Sequence, residues 1–351
     1  MKKGNTASRT NNDMKKLQAK HRVVLNVSAL AAGIFLFYLV IRISGQSFLN
    51  LLKQTADVKY VFLAAVTAAS TLLSVFMAKR WSLLMSATAD IKNLPRGFIF
   101  YNTNIGLLIT SIIPVFGYVG TKAASFKLEH GIAVKKTVYA TSLEYLMGFS
   151  VILAMLIPSG LYLSGAFNLT QGLIATGLAA AALIVGFAFF INRIVKVFGL
   201  LINTVITWFA RAPVLRNIHF LKRFKPEAFA SLERGVAAQA MALSLLSYFT
   251  VLARGVIFLK AFHIDVNAGE FVLLHAVGYA LSCVGLTPAN IGITELSWFG
   301  VLTLLGAGHE HAALFAVGQR IINTGTTILL AVAGYIFYAA CGKSHEPQEK
   351  T

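Results

Sequence analysis

A polar, helix-breaking segment at residues 287–295 interrupts a long apolar region in the second half of the chain. The apolar arms on either side, residues 271–286 and 296–306, are each shorter than the roughly 20 helical residues that cross a hydrocarbon layer. Pro288 removes a backbone donor and Gly292 loosens the chain. Backbone of this kind is tolerated at membrane depth only where protein or a watery cavity surrounds it. We therefore predict a re-entrant helical hairpin with a polar tip. A kinked spanning helix is the alternative.

Composition restricts the class of protein. Of the 351 residues, 57% are hydrophobic, and the apolar runs recur along the chain, which excludes a soluble protein. The net charge of +18 lies mostly in tails and loops, where basic residues orient the chain and contact anionic lipid headgroups. Nucleic-acid binding would need a folded basic domain, and no polar stretch is long enough. The fold class predicted is an all-α polytopic membrane protein.

Hydropathy and charge predict about six spanning helices and two re-entrant hairpins within one domain, residues 23–340. The basic tail 1–22, expected to be disordered, and the longest polar loop, 192–235, are cytoplasmic by the positive-inside tendency. Within that loop the apolar stretch 194–209 is expected on the membrane surface, with an extra span as the alternative. The tail 341–351 is also cytoplasmic, so we expect a multi-pass protein of the cytoplasmic membrane. The predicted spans are residues 23–43, 60–78, 137–157, 172–191, 236–262 and 312–340.

A second interrupted segment, residues 98–119, resembles an ordinary span at first. If it crossed the bilayer, Lys122 and the lysines after it would face outward, against the positive-inside tendency. A reversal inside the membrane returns them to the cytoplasm. Asn102 and Asn104 on the entering arm are costly in lipid and favour a cavity instead. The residues that would break this hairpin are Pro114, Gly117 and Gly120.

Each half of the domain, about 23–157 and 172–340, reads span, span, hairpin, span. Three crossings per half invert the second half relative to the first. Inverted repeats with paired broken helices are the usual plan of secondary transporters, whose site lies where the breaks meet near mid-membrane. The symmetry is one of hydropathy and charge, without obvious residue identity between the halves.

Ionisable side chains inside the apolar runs are few, and each is informative because a lone buried charge is costly. They either bind substrate or form ion pairs that hold helices together. The predicted pairs are Glu295 with Arg320 or Arg254, and Glu144 with Lys122 or Arg80. Helix N-termini at the hairpin breaks would also favour an anion such as a lipid phosphate.

The predicted cavity includes neutral amides, which suit a phosphate or glycerol headgroup but could equally satisfy broken helix ends. His309 and His311 lack the spacing with acids that zinc requires, so no metal and no cofactor are predicted. The substrate-binding residues that we predict are Asn102, Asn104, Lys122, Glu144, Arg254, Asn290, Glu295 and Arg320.

The polar segment carries a motif, Pro288 to Glu295, that resembles the Pro-x-x-x-Gly-x-x-Glu element of the lysylphosphatidylglycerol synthase transmembrane family. This family includes the flippase half of multiple peptide resistance factors. Arg320 stands where the family carries an arginine in its last span. The first half resembles the family pattern at Pro114, Gly117, Lys122 and Glu144, although the family more often has an acid after the glycine and Arg at the position of Lys122.

The resemblance implies an integral membrane protein that moves lipids or lipid-linked molecules between leaflets. Its partners would be membrane lipids, either anionic or aminoacylated phospholipid, and a separate synthase protein. Full-length relatives add a soluble lysyl-transfer domain; this chain ends soon after its last predicted span, so we expect no transferase activity. The alternatives retained are a phosphatidylglycerol lysyltransferase-type enzyme and a non-catalytic membrane partner of such an enzyme.

Overall fold

The computed structural model is helical throughout the parts of the chain that it describes, residues 28–89, 94–110, 116–211, 232–283 and 287–342. The helices of the first half are α1 (Ser28–Ser44), α2 (Phe48–Ala56), α3 (Tyr60–Ala89), α4 (Arg96–Thr110), α5 (Phe116–His130) and α6 (Val134–Leu163). Those of the second half are α7 (Leu169–Arg211), α8 (Arg234–Ala261), α9 (Ala268–Ser282), α10 (Ile293–Leu304) and α11 (His309–Gly342). A 3-10 turn, Pro288–Asn290, lies between α9 and α10.

Five of the helices, α3, α6, α7, α8 and α11, are long and apolar enough to cross a membrane. The pair α1 and α2, bent by 80°, makes a sixth if it is counted as one span. Large apolar side chains on these helices are exposed, among them Phe35, Phe189 and Phe337, as expected for surfaces that face lipid. The predicted class, an all-α polytopic membrane protein, is confirmed.

Predicted boundaries were wrong at three of the spans. The span predicted to end at residue 78 continues in α3 to Ala89, so Arg80 lies inside the helix. Pro158 lies inside α6, which continues to Leu163, so the link to α7 is shorter than the predicted 158–171. The stretch 194–209 is not a separate surface segment but the continuation of α7, a helix of 43 residues. No proline interrupts it, and extending an existing helix is easier than starting a new one. At 1.5 Å per residue α7 is about 65 Å long, roughly twice a 30 Å hydrocarbon core.

Both interrupted segments are pairs of short helices that pack against each other. Helices α4 and α5 have 15 residues each, whereas α9 has 15 and α10 has 12. Each is about 18–22 Å long, which is less than the hydrocarbon core. The first break, residues 111–115 with Pro114, lies outside the described residues.

Packing relates the two halves. The most extensive helix contact joins α3 of the first half to α8 of the second. The first helix of each interrupted pair packs on the last long helix of the other half, α4 on α11 and α9 on α6. The second helix of each pair packs on the long helix that follows it, α5 on α6 and α10 on α11. The halves therefore interlock in the manner of two inverted repeats.

Candidate functional site

The contact between α3 and α8 carries two reciprocal hydrogen bonds. Arg80 on α3 donates from Nη1 to Ser244 Oγ on α8 over 3.0 Å, and Arg254 on α8 donates from Nη1 to Ser70 Oγ on α3 over 3.2 Å. Each serine and each arginine stands at the same position counted from the start of its helix. The helices are therefore antiparallel and related by an approximate two-fold axis that exchanges Arg80 with Arg254.

The same symmetry is present in the sequence. The interval from Ser70 to Ser244 equals that from Arg80 to Arg254, and the interval from Pro114 to Pro288 is identical. Searching for residue types repeated at one constant offset would have revealed this repeat. Hydropathy alone detected the symmetry of the halves but not the residues that carry it.

A buried ionic cluster of the first half, formed by Arg80, Tyr118, Lys122 and Glu144, joins α3, α5 and α6. The Glu144 carboxylate accepts from Arg80 Nη2 at 2.8 Å, from Lys122 Nζ at 3.0 Å and from the Tyr118 hydroxyl at 3.1 Å. Lys122 Nζ also donates to the Tyr118 hydroxyl oxygen at 2.6 Å. All four side chains are buried. The predicted pairing of Glu144 is thus present with both candidate partners.

Aromatic rings surround the Lys122 ammonium. Its Nζ lies 4.5 Å from the Trp81 ring centroid and 3.9 Å from that of Tyr118, within the range of cation–π attraction. The ring faces and Glu144 together compensate the charge that burial would otherwise penalise. Trp81 and Tyr118 were not predicted as site residues, since nothing in an apolar helix marks an aromatic ring as a partner of a distant lysine.

The two asparagines of α4 have different environments. Asn104 accepts from Ser74 Oγ at 2.8 Å and donates to the Phe100 carbonyl at 2.9 Å, so its amide is satisfied within the helix bundle. Asn102 is 1% exposed, and neither its amide oxygen nor its amide nitrogen has a partner among the described residues. Unpartnered buried amides are rare in proteins, so Asn102 is the stronger candidate for a ligand contact.

The register of α4 on α5 locates Asn102. The rings of Phe98 and Phe126 are 4.7 Å apart, and a Cβ at Gly106 would lie 2.8 Å from the Tyr118 ring. Asn102 is midway between Phe98 and Gly106, as Lys122 is between Phe126 and Tyr118. Because the helices run antiparallel, this register places Asn102 level with Lys122 of the ionic cluster.

The second ionic pair lies at the other break. The Glu295 carboxylate pairs with Arg320 of α11, as predicted, and accepts from the Gly292 amide at 2.7 Å. Arg320 also donates to the carbonyls of Ala289 and Asn290. Arg320 therefore binds both the Glu295 carboxylate and two backbone carbonyls of the turn. Its side chain is 25% exposed, whereas Glu295 is fully buried.

The start of α10 already carries a negative charge. The prediction that the N-terminus of α10 attracts an anionic ligand stays a prediction, and at this position Glu295 itself supplies a carboxylate. Its carboxylate caps the first turn through the Gly292 amide, as an acid at the third helical position commonly does. Asn290 is likewise used locally, since its side-chain nitrogen donates to the Ser282 carbonyl at 2.9 Å.

The turn is shaped by backbone conformations that favour glycine. Ala289, Asn290 and Gly292 have φ values of 58°, 52° and 81°. A Cβ at Gly292 would lie 2.2 Å from the Gly33 carbonyl oxygen, so α1 contacts the turn backbone to backbone. Gly292 is required here both for its positive φ and for its lack of a side chain.

Arg254 does not pair with Glu295. It is partly buried, and in the described part of the chain it has no carboxylate within ion-pair distance. Tyr279 and His275 of α9 lie in its electrostatic neighbourhood, and Tyr279 is also within range of Arg80. Among the described residues no group of three or more histidines, cysteines or acids could hold a metal ion.

The two ionic pairs occupy related positions in the two halves, but the acid and the base are exchanged between them. In the first half the hairpin carries the base, Lys122, and the following span carries the acid, Glu144. In the second half the hairpin carries the acid, Glu295, and the following span the base, Arg320. Glu144 and Arg320 stand at nearly the same distance from the start of α6 and α11.

Two comparisons with known proteins bear on the identity of the chain. A search of the curated proteins gave no match to the chain. A family model described as the lysylphosphatidylglycerol synthase TM region matches residues 24–331. The match includes both halves, both interrupted segments and every charged residue of the two ionic pairs. The chain therefore belongs to the lysylphosphatidylglycerol synthase transmembrane family.

Proposed function

We propose that the protein is a lipid translocase, which moves a phospholipid or an aminoacylated or otherwise lipid-linked headgroup between the leaflets of the cytoplasmic membrane. Membership of the family associates the chain with lipid modification or transport. The observation that carries the proposal is a set of charged and amide side chains buried inside an apolar helical body and contributed by both halves. Ionisable groups at such positions commonly belong to substrate or ion pathways.

Energetics favour a functional over a purely structural role. A buried ion pair costs several kcal/mol in desolvation per ion, and apolar residues of similar size often stabilise a protein as well or better. Arg80, Lys122 and Glu144 would therefore be an expensive way to hold three helices together. The Arg80 Nε and the side-chain amide of Asn102 are buried without hydrogen-bond partners among the described residues, which supports the same conclusion.

The proposed mechanism uses the two interrupted segments as re-entrant hairpins. Helices α4 and α5 enter from the cytoplasmic side, and α9 and α10 enter from outside, with both chain termini in the cytoplasm. The site between them is exposed to the leaflets in turn, which is how inverted repeats usually produce alternating access. The ion pairs Lys122–Glu144 and Glu295–Arg320 each connect a hairpin to the next span. A headgroup that competes for one of these charges would loosen that hairpin and change the exposed side.

Reconstitution tests this function directly. The purified protein is placed in vesicles, and the movement of fluorescent phospholipid between leaflets is followed by quenching from outside. Glu295→Gln and Arg320→Ala are expected to slow movement, because each removes one member of the pair that ties α10 to α11. Matched controls are Glu310→Gln at the exposed start of α11 and Arg193→Ala on the exposed face of α7. Unchanged rates in both test variants would remove this pair from the mechanism, and wild-type rates equal to those of empty vesicles would contradict the function.

A further inference from the structure

Neither interior carboxylate is free to receive a cationic headgroup. Glu144 already accepts from Arg80, Lys122 and the Tyr118 hydroxyl. Glu295 is occupied by Arg320 and the Gly292 amide. A lysyl group entering the site would have to displace an existing cation from one of these acids, with no net gain of charge pairs.

The cations, in contrast, are in excess. Within the described spans and hairpins, four interior bases outnumber two interior acids, and one of these bases, Arg254, has no acid within ion-pair distance. A single buried guanidinium without a counter-charge is costly, so it should be compensated by an anion from elsewhere. Arg254 is neither fully buried nor exposed, and its one side-chain hydrogen bond among the described residues goes to Ser70 Oγ.

The two-fold symmetry shows which partner Arg254 lacks. The two-fold axis that relates α3 to α8 exchanges Arg254 with Arg80, and both arginines bond to a serine of the opposite helix. Arg80 has an acid, Glu144, on α6. The corresponding region of α11 carries Arg320, a base. The second half therefore reproduces the arginine but replaces its carboxylate partner with a cation.

We infer that the transported lipid is net anionic and that Arg254 binds the phosphate of its headgroup. The inference rests on the proposed function and specifies its substrate class. The guanidinium fork matches a phosphate in a bidentate manner, and such charge-assisted bonds are among the strongest in proteins. Tyr279 of α9 lies in the electrostatic neighbourhood of both Arg254 and Arg80. A headgroup bearing a lysyl amine is the poorer substrate.

Vesicles of defined composition test this selectivity. Fluorescent phosphatidylglycerol, phosphatidylethanolamine and lysyl-phosphatidylglycerol provide anionic, zwitterionic and cationic headgroups on the same acyl chains. The wild type should move phosphatidylglycerol fastest. Arg254→Gln should lower that rate by about tenfold or more, the usual effect of losing a hydrogen bond to a charged group. Arg254→Lys should retain part of the rate, and Lys260→Gln, an exposed control on the same helix, should match the wild type.

Binding in detergent separates the inference from the proposed function. Native mass spectrometry counts phosphatidylglycerol bound to the wild type and to Arg254→Gln, with inorganic phosphate and glycerol phosphate as competitors. We expect phosphatidylglycerol to bind in an Arg254-dependent manner and the soluble phosphates to compete only weakly. Equal competition by free phosphate would identify a soluble anion as the ligand and overturn the lipid assignment.

The remaining outcomes are distinguishable. If lysyl-phosphatidylglycerol moves as fast as phosphatidylglycerol, or if Arg254→Gln leaves both transport and binding unchanged, the inference is wrong while the translocase function stands. If the wild type moves no lipid but binds phosphatidylglycerol through Arg254, the translocase function is wrong and the binding site stands. Thermal unfolding of Arg254→Gln and Arg254→Lys shows whether each variant is folded.

Discussion

At the scale of single residues, Glu144 explains how charge is tolerated inside this protein. One carboxylate compensates two cations and a phenol drawn from α3 and α5, and two aromatic rings cover the ammonium. Removing one partner of such a cluster leaves an uncompensated buried charge, which typically costs about 3–5 kcal/mol. The cluster is therefore costly to open, and the partly buried Arg254 and Arg320 are the better candidates for groups that exchange partners.

Gly292 provides a prediction at the same scale. Gly292→Ala should destabilise the protein markedly, because alanine at φ 81° is strained and its Cβ would lie 2.2 Å from the Gly33 carbonyl oxygen. The backbone strain alone is about 1–3 kcal/mol. Gly300→Ala is the matched control: it lies in α10 with no atom within 4 Å of an added Cβ. It should be neutral or stabilising by about 0.5–1 kcal/mol.

Thermal unfolding of the detergent-solubilised protein measures both glycine variants. The account predicts a lower Tm for Gly292→Ala and an equal or higher Tm for Gly300→Ala. Equal Tm values for Gly292→Ala and the wild type would show that α1 does not contact the turn as described.

At the scale of helices, ion pairs connect each hairpin to the span that follows it. The pairs predicted from sequence follow from one rule, that isolated charges in apolar helices are too costly to remain alone. The rule does not choose between partners. Whether Glu295 meets Arg320 or Arg254 depends on how α8, α10 and α11 pack, which a linear sequence does not reveal.

A double-mutant cycle tests this assignment. Glu295→Gln and Arg320→Gln should be strongly coupled in their effects on unfolding, by about 0.5–3 kcal/mol, because the two side chains are in contact. Glu295→Gln and Arg254→Gln should be additive within about 0.5 kcal/mol, since those side chains share no hydrogen bond or ion pair in the described structure. Coupling to Arg254 instead of Arg320 would contradict the arrangement of α10 and α11.

At the scale of the whole molecule, the sequence predicted the all-α membrane class and about six long apolar helices, and the described residues contain five, or six if α1 and α2 are counted as one span. These follow from the length of apolar runs and the sign of the loops. The sequence did not reveal the features that are determined by packing between distant helices. The burial of the unpartnered Asn102 amide and the reciprocal bonds of Arg80 and Arg254 each depend on contacts between distant helices.

The proposed mechanism requires that both interrupted segments return to the side of the membrane from which they enter. Single cysteines at Lys127 near the end of α5 and at Asn168 before α7 are exposed reporters, in a background with Cys283 and Cys341 replaced by serine. A membrane-impermeant maleimide is applied to intact cells and to inverted vesicles. The account predicts labelling of residue 127 only in inverted vesicles and of residue 168 only in intact cells. Labelling of residue 127 from outside the cell would contradict it.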